Sequence, residues 1–157
     1  MLNNLMRILG IDPGFDRVGV CILDKVDNQY KYVFSCLIST DKSMSLYDRV
    51  LEIAEDLDEI IKKFKPEKAV VEKVFFSKNQ KTAIDVAQSR GVICYQCVKN
   101  GIEVIDVSPS QMKLAVTGDG SASKDQVKHM VFRQLKLKAS GKVIDDSIDA
   151  IAMCLML

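Results

Sequence analysis

The chain is poor in several of the groups on which enzymes and membrane proteins rely. It has one histidine, His129, set between Lys128 and Met130 in a helical stretch and expected on the surface, so no imidazole base stands at the motif positions. It has no Gly-rich phosphate loop and no nucleophile elbow, which leaves ATPase and serine-hydrolase readings without support. No apolar run approaches the roughly 20 residues of a membrane span. The N-terminal residues lack a basic region followed by a long apolar one, and a cytoplasmic protein is expected. Met6 stands directly before the first strand, so Met1 to Leu5 reads as a short extension or Met6 as the start. The five cysteines, Cys21, Cys36, Cys94, Cys97 and Cys154, are odd in number and scattered among apolar residues. They read as small buried hydrophobes, not as a disulfide framework. Cys94 and Cys97 have CxxC spacing, but no second Cys/His pair completes a zinc site and they lie mid-helix. There is no internal repeat, linker or low-complexity segment.

What is present is an ordinary globular composition: 48% hydrophobic and 27% charged over 157 residues, enough for one domain spanning 1–157 with its own core. The net charge of +1 conceals an asymmetry. Residues 62–142 hold 16 Lys/Arg against 7 Asp/Glu, a local +9, and the remainder holds a local −8. This predicts a basic face beside an acidic one, with two merely solvated faces as the alternative.

The chain divides cleanly by period. Met6 to Asp12 is an apolar run ended by Pro13-Gly14, so it predicts a buried strand carrying a carboxylate at its tip. Arg17 to Asp24 and Tyr30 to Leu37 predict two further strands around a turn at Asp27-Asn28-Gln29, together an antiparallel meander. Leu46, Val50, Ile53, Leu57, Ile60 or Ile61, and Phe64 recur at helical spacing before Pro66. Ala69 to Glu72 is then a short parallel strand ending in a second carboxylate. Lys73 to Lys81 reads as a basic loop, and Thr82 to Lys99 as a helix with Ile84, Ala87, Gly91, Tyr95 and Val98 on one stripe. Ile102 to Val107 is a fifth strand. Ser108-Pro109 supplies a cap and N1 proline for a helix through Val116, which Gly118-Asp119-Gly120 breaks. Ser123 to Gln126 is a capping-box pattern for the next helix, and the last helix opens at Asp145-Asp146.

Asp12 and Glu72 are neighbours if their strands are adjacent, and Asp146 and Asp149, three apart on a helix, project to one side. Converging carboxylates repel unless a cation sits among them, and hard oxygen donors suit Mg²⁺ or Mn²⁺. Two such ions would clamp the attacking and leaving oxygens of a phosphodiester. Taken singly, each acid has a plainer reading, as a strand-end turn residue or a helix cap.

Five segments carry a family resemblance: Met6 to Asp24, Val71 to Ala87, Gln88 to Gly91, Ser108 to Met130 and Asp146 to Ala152. In order and over nearly the whole chain, they resemble RuvC, the bacterial Holliday junction resolvase family. The resemblance implies an α/β, ribonuclease-H-like fold: a five-stranded mixed sheet, with a β1–β3 antiparallel meander plus parallel strands, flanked by helices. It also implies a homodimer, two Mg²⁺ ions per subunit with Mn²⁺ able to substitute, and paired symmetric nicks across four-way junction DNA. The RuvA–RuvB branch-migration complex is the implied partner. The family's metal-binding and catalytic acids fall on Asp12, Glu72, Asp146 and Asp149, and its DNA contacts on Lys113 and Lys124, with Phe75 placed to stack on bases. Lys78 joins a basic patch with Lys81, Lys128, Arg133, Lys136, Lys138 and Lys142. Asp145 is expected to cap the last helix and Asp106 to accept within a turn before Ser108. Phe76 is given less weight than Phe75. The Ala87/Gly91 stripe is the candidate dimer seam, with packing on its own sheet as the alternative.

Overall fold

The computed structural model describes residues 5–75, 80–137, 145 and 147–157. Asp146, Phe76, Lys78, Lys138, Lys142 and the side chain of Lys81 lie outside the described residues. The elements are β1 (Leu5–Asp12), β2 (Arg17–Val26), β3 (Gln29–Ser39), α1 (Leu46–Phe64), β4 (Lys68–Glu72) and α2 (Gln80–Lys99). They continue with β5 (Glu103–Val107), α3 (Pro109–Thr117), α4 (Lys124–Leu135) and α5 (Ile148–Cys154). The sheet order is β3-β2-β1-β4-β5, antiparallel across β1 to β3 and parallel across β1, β4 and β5. This is the mixed sheet expected from the sequence.

Side chains alternate across a strand, and here the alternation sorts two cores. Leu9 and Ile11 of β1, with Ala69 and Val71 of β4, pack against Ile53, Leu57 and Ile61 of α1 and Ile93 and Cys97 of α2. Ile8 and Val70 face the other way, toward Met112 and Val116 of α3, Val127 and Val131 of α4, and Ile151 and Met153 of α5. Each fully buried Leu or Ile contributes about 1.5–3 kcal/mol, so the sheet is held firmly from both sides. The parity then carries to the strand tips: Asp12 and Glu72 point to the α3–α5 face.

Local chemistry ends each element. Asp27 and Asn28 both adopt positive φ, 48° and 63°, the geometry of a two-residue hairpin turn. Val33 is the extra residue of a bulge opposite Ile22 and Leu23. Ser45 caps α1, and Lys65 closes it in the left-handed conformation ahead of Pro66. Ser108 and Ser123 each form a full capping box, with Gln111 and Gln126. Arg7 of β1 forks onto Asp24 of β2 at 2.7 and 2.9 Å and donates to the Phe64 carbonyl at 2.9 Å, tying the sheet to the end of α1. At Gly10 a Cβ would lie 2.0 Å from the Ala150 carbonyl oxygen, so α5 rests directly on β1 backbone.

Candidate active site

The parallel register pairs Ile11 with Val71, so the next residues, Asp12 and Glu72, stand side by side at the ends of adjacent strands. α5 crosses the same face and brings Asp149 to the cluster. Burial first, then the Asp149 charge, push the Asp12 carboxyl up to about 6, against the smaller lowering effects of a hydrogen bond from Glu72 and the charge of Lys124. Glu72 is pushed up to about 7 by burial first, then by the charges of Asp12 and Asp149.

Asp12, Asp149, Lys124 and Arg17 line one cleft of about 410 Å³. Gly19 and Leu37 line it too. Lys124 is the first residue of α4, where backbone amides without intrahelical partners add to its charge. The donors are hard oxygens, and two half-buried neighbouring carboxyls whose charged forms are disfavoured are a place where a divalent cation supplies the missing positive charge. Among the described residues no three His, Cys, Asp or Glu side chains group closely enough to hold a metal unaided, and Asp146 lies outside them.

Not every expected residue stands in the cleft. Lys113, on α3, is not among its lining residues; its charge instead acts on Asp119. Phe75 does not line the cleft either and is 58% exposed. His129 is exposed, as expected. Cys21, Cys97 and Cys154 are buried, Cys36 and Cys94 half-buried, and burial pushes the Cys97 thiol up to about 12, far from nucleophilic use.

Two expectations need correction. Asp145 does not cap the last helix: Ser147 occupies the N-cap position and Asp145 pairs with Lys128 at 2.8 Å. Lys128 remains partly exposed in that pair and lines the cleft with Lys124. Asp106 is not a turn acceptor but the ion-pair partner of Arg90. It is one residue out of step with Val107, so it points to the α2 face, away from Asp12 and Glu72.

The α2 stripe resolves in favour of an open surface. Ile84, Tyr95 and Val98 are 52%, 62% and 65% exposed, and a Cβ at Gly91 would meet nothing within 4 Å. The stripe does not pack on its own sheet; Ile93 and Cys97 do, and Ala83 and Ser89 are buried beside them on the inner side of α2.

The model of the family described as crossover junction endodeoxyribonuclease RuvC matches residues 8–156. The chain belongs to the RuvC family. The RuvC of Brachyspira hyodysenteriae is 43% identical over 150 residues, covering 96% of this chain and 92% of that one. The RuvC of Fusobacterium nucleatum is 41% identical over 150 residues, covering 96% and 78%. Thermus thermophilus RuvC solved in complex with a Holliday junction substrate superposes with a TM-score of 0.88 at 28% identity, covering 96% and 92%. A yeast mitochondrial Holliday junction resolvase, at 15% identity and a TM-score of 0.69 over 96% and 77%, shares the fold. The ribonuclease-H-like architecture expected of RuvC is therefore present, and as a member of that family the chain is a metal-dependent endonuclease.

Sequence reasoning missed three kinds of residue in this RuvC chain. Arg17 opens β2 in the cleft, but an arginine at a strand start carries no periodic signal. Arg49 is buried in α1, donates to Thr40 at 2.9 Å, pairs with Asp16 and lies 4.8 Å from the Phe15 ring, so it fixes the loop after Asp12. Ser89 and Arg90 turn inward from α2; only their inclusion in the Gln88 to Gly91 motif marked them.

Proposed function

We propose that this chain resolves four-way DNA junctions as a homodimer, each subunit cutting one strand with Asp12, Glu72, Asp146 and Asp149 holding two Mg²⁺ ions, for which Mn²⁺ substitutes. The observation that carries the reading is the Asp12–Glu72 pair, whose raised affinity for a proton beside Asp149 marks a site built for compensating positive charge. Bound divalent ions supply charge neutralisation at the phosphodiester and an acidified water. The protein's part is to bind and orient. Lys124 and the free amides of α4 take phosphate oxygens at the cleft, and Lys113 and Lys78 take phosphates farther along the strand. Phe75 stacks on an unpaired base near the junction centre.

The dimer is supported by the exposed Ile84–Val98 stripe, since two sites related by a two-fold axis suit the symmetry of a four-way junction. The substrate class is supported by the Thermus thermophilus RuvC relative, solved with a Holliday junction substrate. Work in the cytoplasm beside the RuvA–RuvB complex completes the reading.

The test is cleavage of a synthetic four-way junction beside linear duplex and an RNA–DNA hybrid, with Mg²⁺ or EDTA, by wild type and Asp12→Asn. Paired nicks in the junction alone, lost with EDTA or Asp12→Asn while binding persists, are expected. Cutting of the hybrid alone would overturn the substrate, and binding without cutting under any metal would overturn the chemistry.

A further inference from the structure

α2 reaches the ends of both strands that carry the acids. Ser89 is completely buried and donates its hydroxyl to the Gly14 carbonyl at 2.6 Å, two residues beyond Asp12. The next residue, Arg90, donates Nε to the Glu72 carbonyl at 2.8 Å and pairs through Nη2 with Asp106 of β5. The backbone of Lys73 donates to the Val107 carbonyl at 2.7 Å, closing the same strand end from the other side.

The tip of a sheet is where this help is needed. β4 has only five residues, and Glu72 is the last of them, so its carbonyl has no continuing ladder to hold it. A planar guanidinium can grip that carbonyl and the Asp106 carboxylate at once, fixing β4 against β5; a lysine, with one point charge, cannot reproduce the fork. The Gly14 turn is equally constrained, since a Cβ at Gly14 would lie 2.1 Å from the Arg17 carbonyl oxygen and the turn has little room to shift. The two bonds come from adjacent residues of one helix, so both strand tips are referred to a single rigid element.

We propose that Ser89 and Arg90 are positioning residues: they touch neither substrate nor metal, and they set the relative placement of the Asp12 and Glu72 carboxyl groups and thereby divalent-cation affinity and cleavage rate. This rests on the reading of Asp12 and Glu72 as the metal-holding pair. The competing account makes both contacts ordinary packing bonds, which would lower melting temperature and leave the folded protein's chemistry untouched.

The experiment uses full-length Arg90→Lys, Ser89→Ala, Asp106→Asn and, as control, Asp12→Asn. Four quantities are read: Mn²⁺ binding without DNA by electron paramagnetic resonance, the single-turnover rate at saturating junction, junction affinity in EDTA, and melting temperature. A small displacement of catalytic groups can cost on the order of 100-fold in rate. Arg90→Lys is therefore expected to slow cleavage about 10- to 100-fold and weaken Mn²⁺ binding, with junction affinity in EDTA unchanged. Asp106→Asn should move both readouts in the same direction by less, and it carries the test should Arg90→Lys fail to fold. Folded Arg90→Lys or Asp106→Asn with wild-type Mn²⁺ binding and rate, beside an inactive Asp12→Asn, overturns the positioning role alone. An Asp12→Asn protein that still cleaves and binds Mn²⁺ overturns the underlying site.

Discussion

Asp12 and Glu72 stand at the ends of adjacent strands, where burial, then neighbouring carboxylate charge, holds both carboxyls above their ordinary values. Both groups have folded values above those of an unfolded chain, so the native state retains protons that the unfolded state releases. Without metal, the contribution of this pair to stability is therefore greatest below about pH 4, declines as pH rises toward about 7, and levels off above that. A divalent cation offsets the loss: Mg²⁺ should raise the melting temperature more at pH 8 than at pH 5, and an equal gain at both would count against the cluster as its binding place. Asp12→Asn should abolish cleavage by at least about 100-fold while junction affinity in EDTA persists, as gel-shift and cleavage assays on one preparation would report. Gly10→Ala should cost about 3 kcal/mol or prevent folding, measured by urea unfolding, because its Cβ meets α5 backbone that cannot give way. The acids were legible because a lone carboxylate ending an apolar run is conspicuous in a sequence. Asp145 and Asp106 were misread because their partners, Lys128 and Arg90, are distant in sequence, and no local pattern announces an ion pair.

At the scale of the element, strands and helices followed from period and punctuation. The capping serines were readable three residues ahead of their glutamines, and Pro66 and Gly118 marked helix ends. Ser123→Ala should lower stability by about 1 kcal/mol in denaturant titration, since the N3 amide of α4 loses its acceptor. A larger loss of junction affinity than of stability would place the α4 N-terminus at a phosphate. The orientation of α2 was harder to read. Its apolar residues suggest a stripe without saying which side is inside, and only the fold shows Ile93 and Cys97 buried while Tyr95 and Val98 face out. A helix that buries one apolar face and leaves apolar residues exposed on another defeats amphipathic reasoning for this reason.

For the whole molecule, the sheet is a wall with different tasks on its two sides. Asp12, Glu72 and Asp149 gather on the α3–α5 side, and the open stripe belongs to α2 on the other. Gly91→Glu should therefore yield a folded monomer in sedimentation velocity at micromolar concentration, with a melting temperature close to wild type, because the site is open. A dimer unaffected by this change would relocate the seam. The separation also has a genetic consequence. In the proposed dimer, a subunit crippled at Asp12 keeps its α2 surface and would still pair with a normal subunit. Mixed dimers would then nick one strand and stop, leaving a half-cut junction. An Asp12→Asn allele should thus be dominant over the normal gene, and the same allele carrying Gly91→Glu should be recessive.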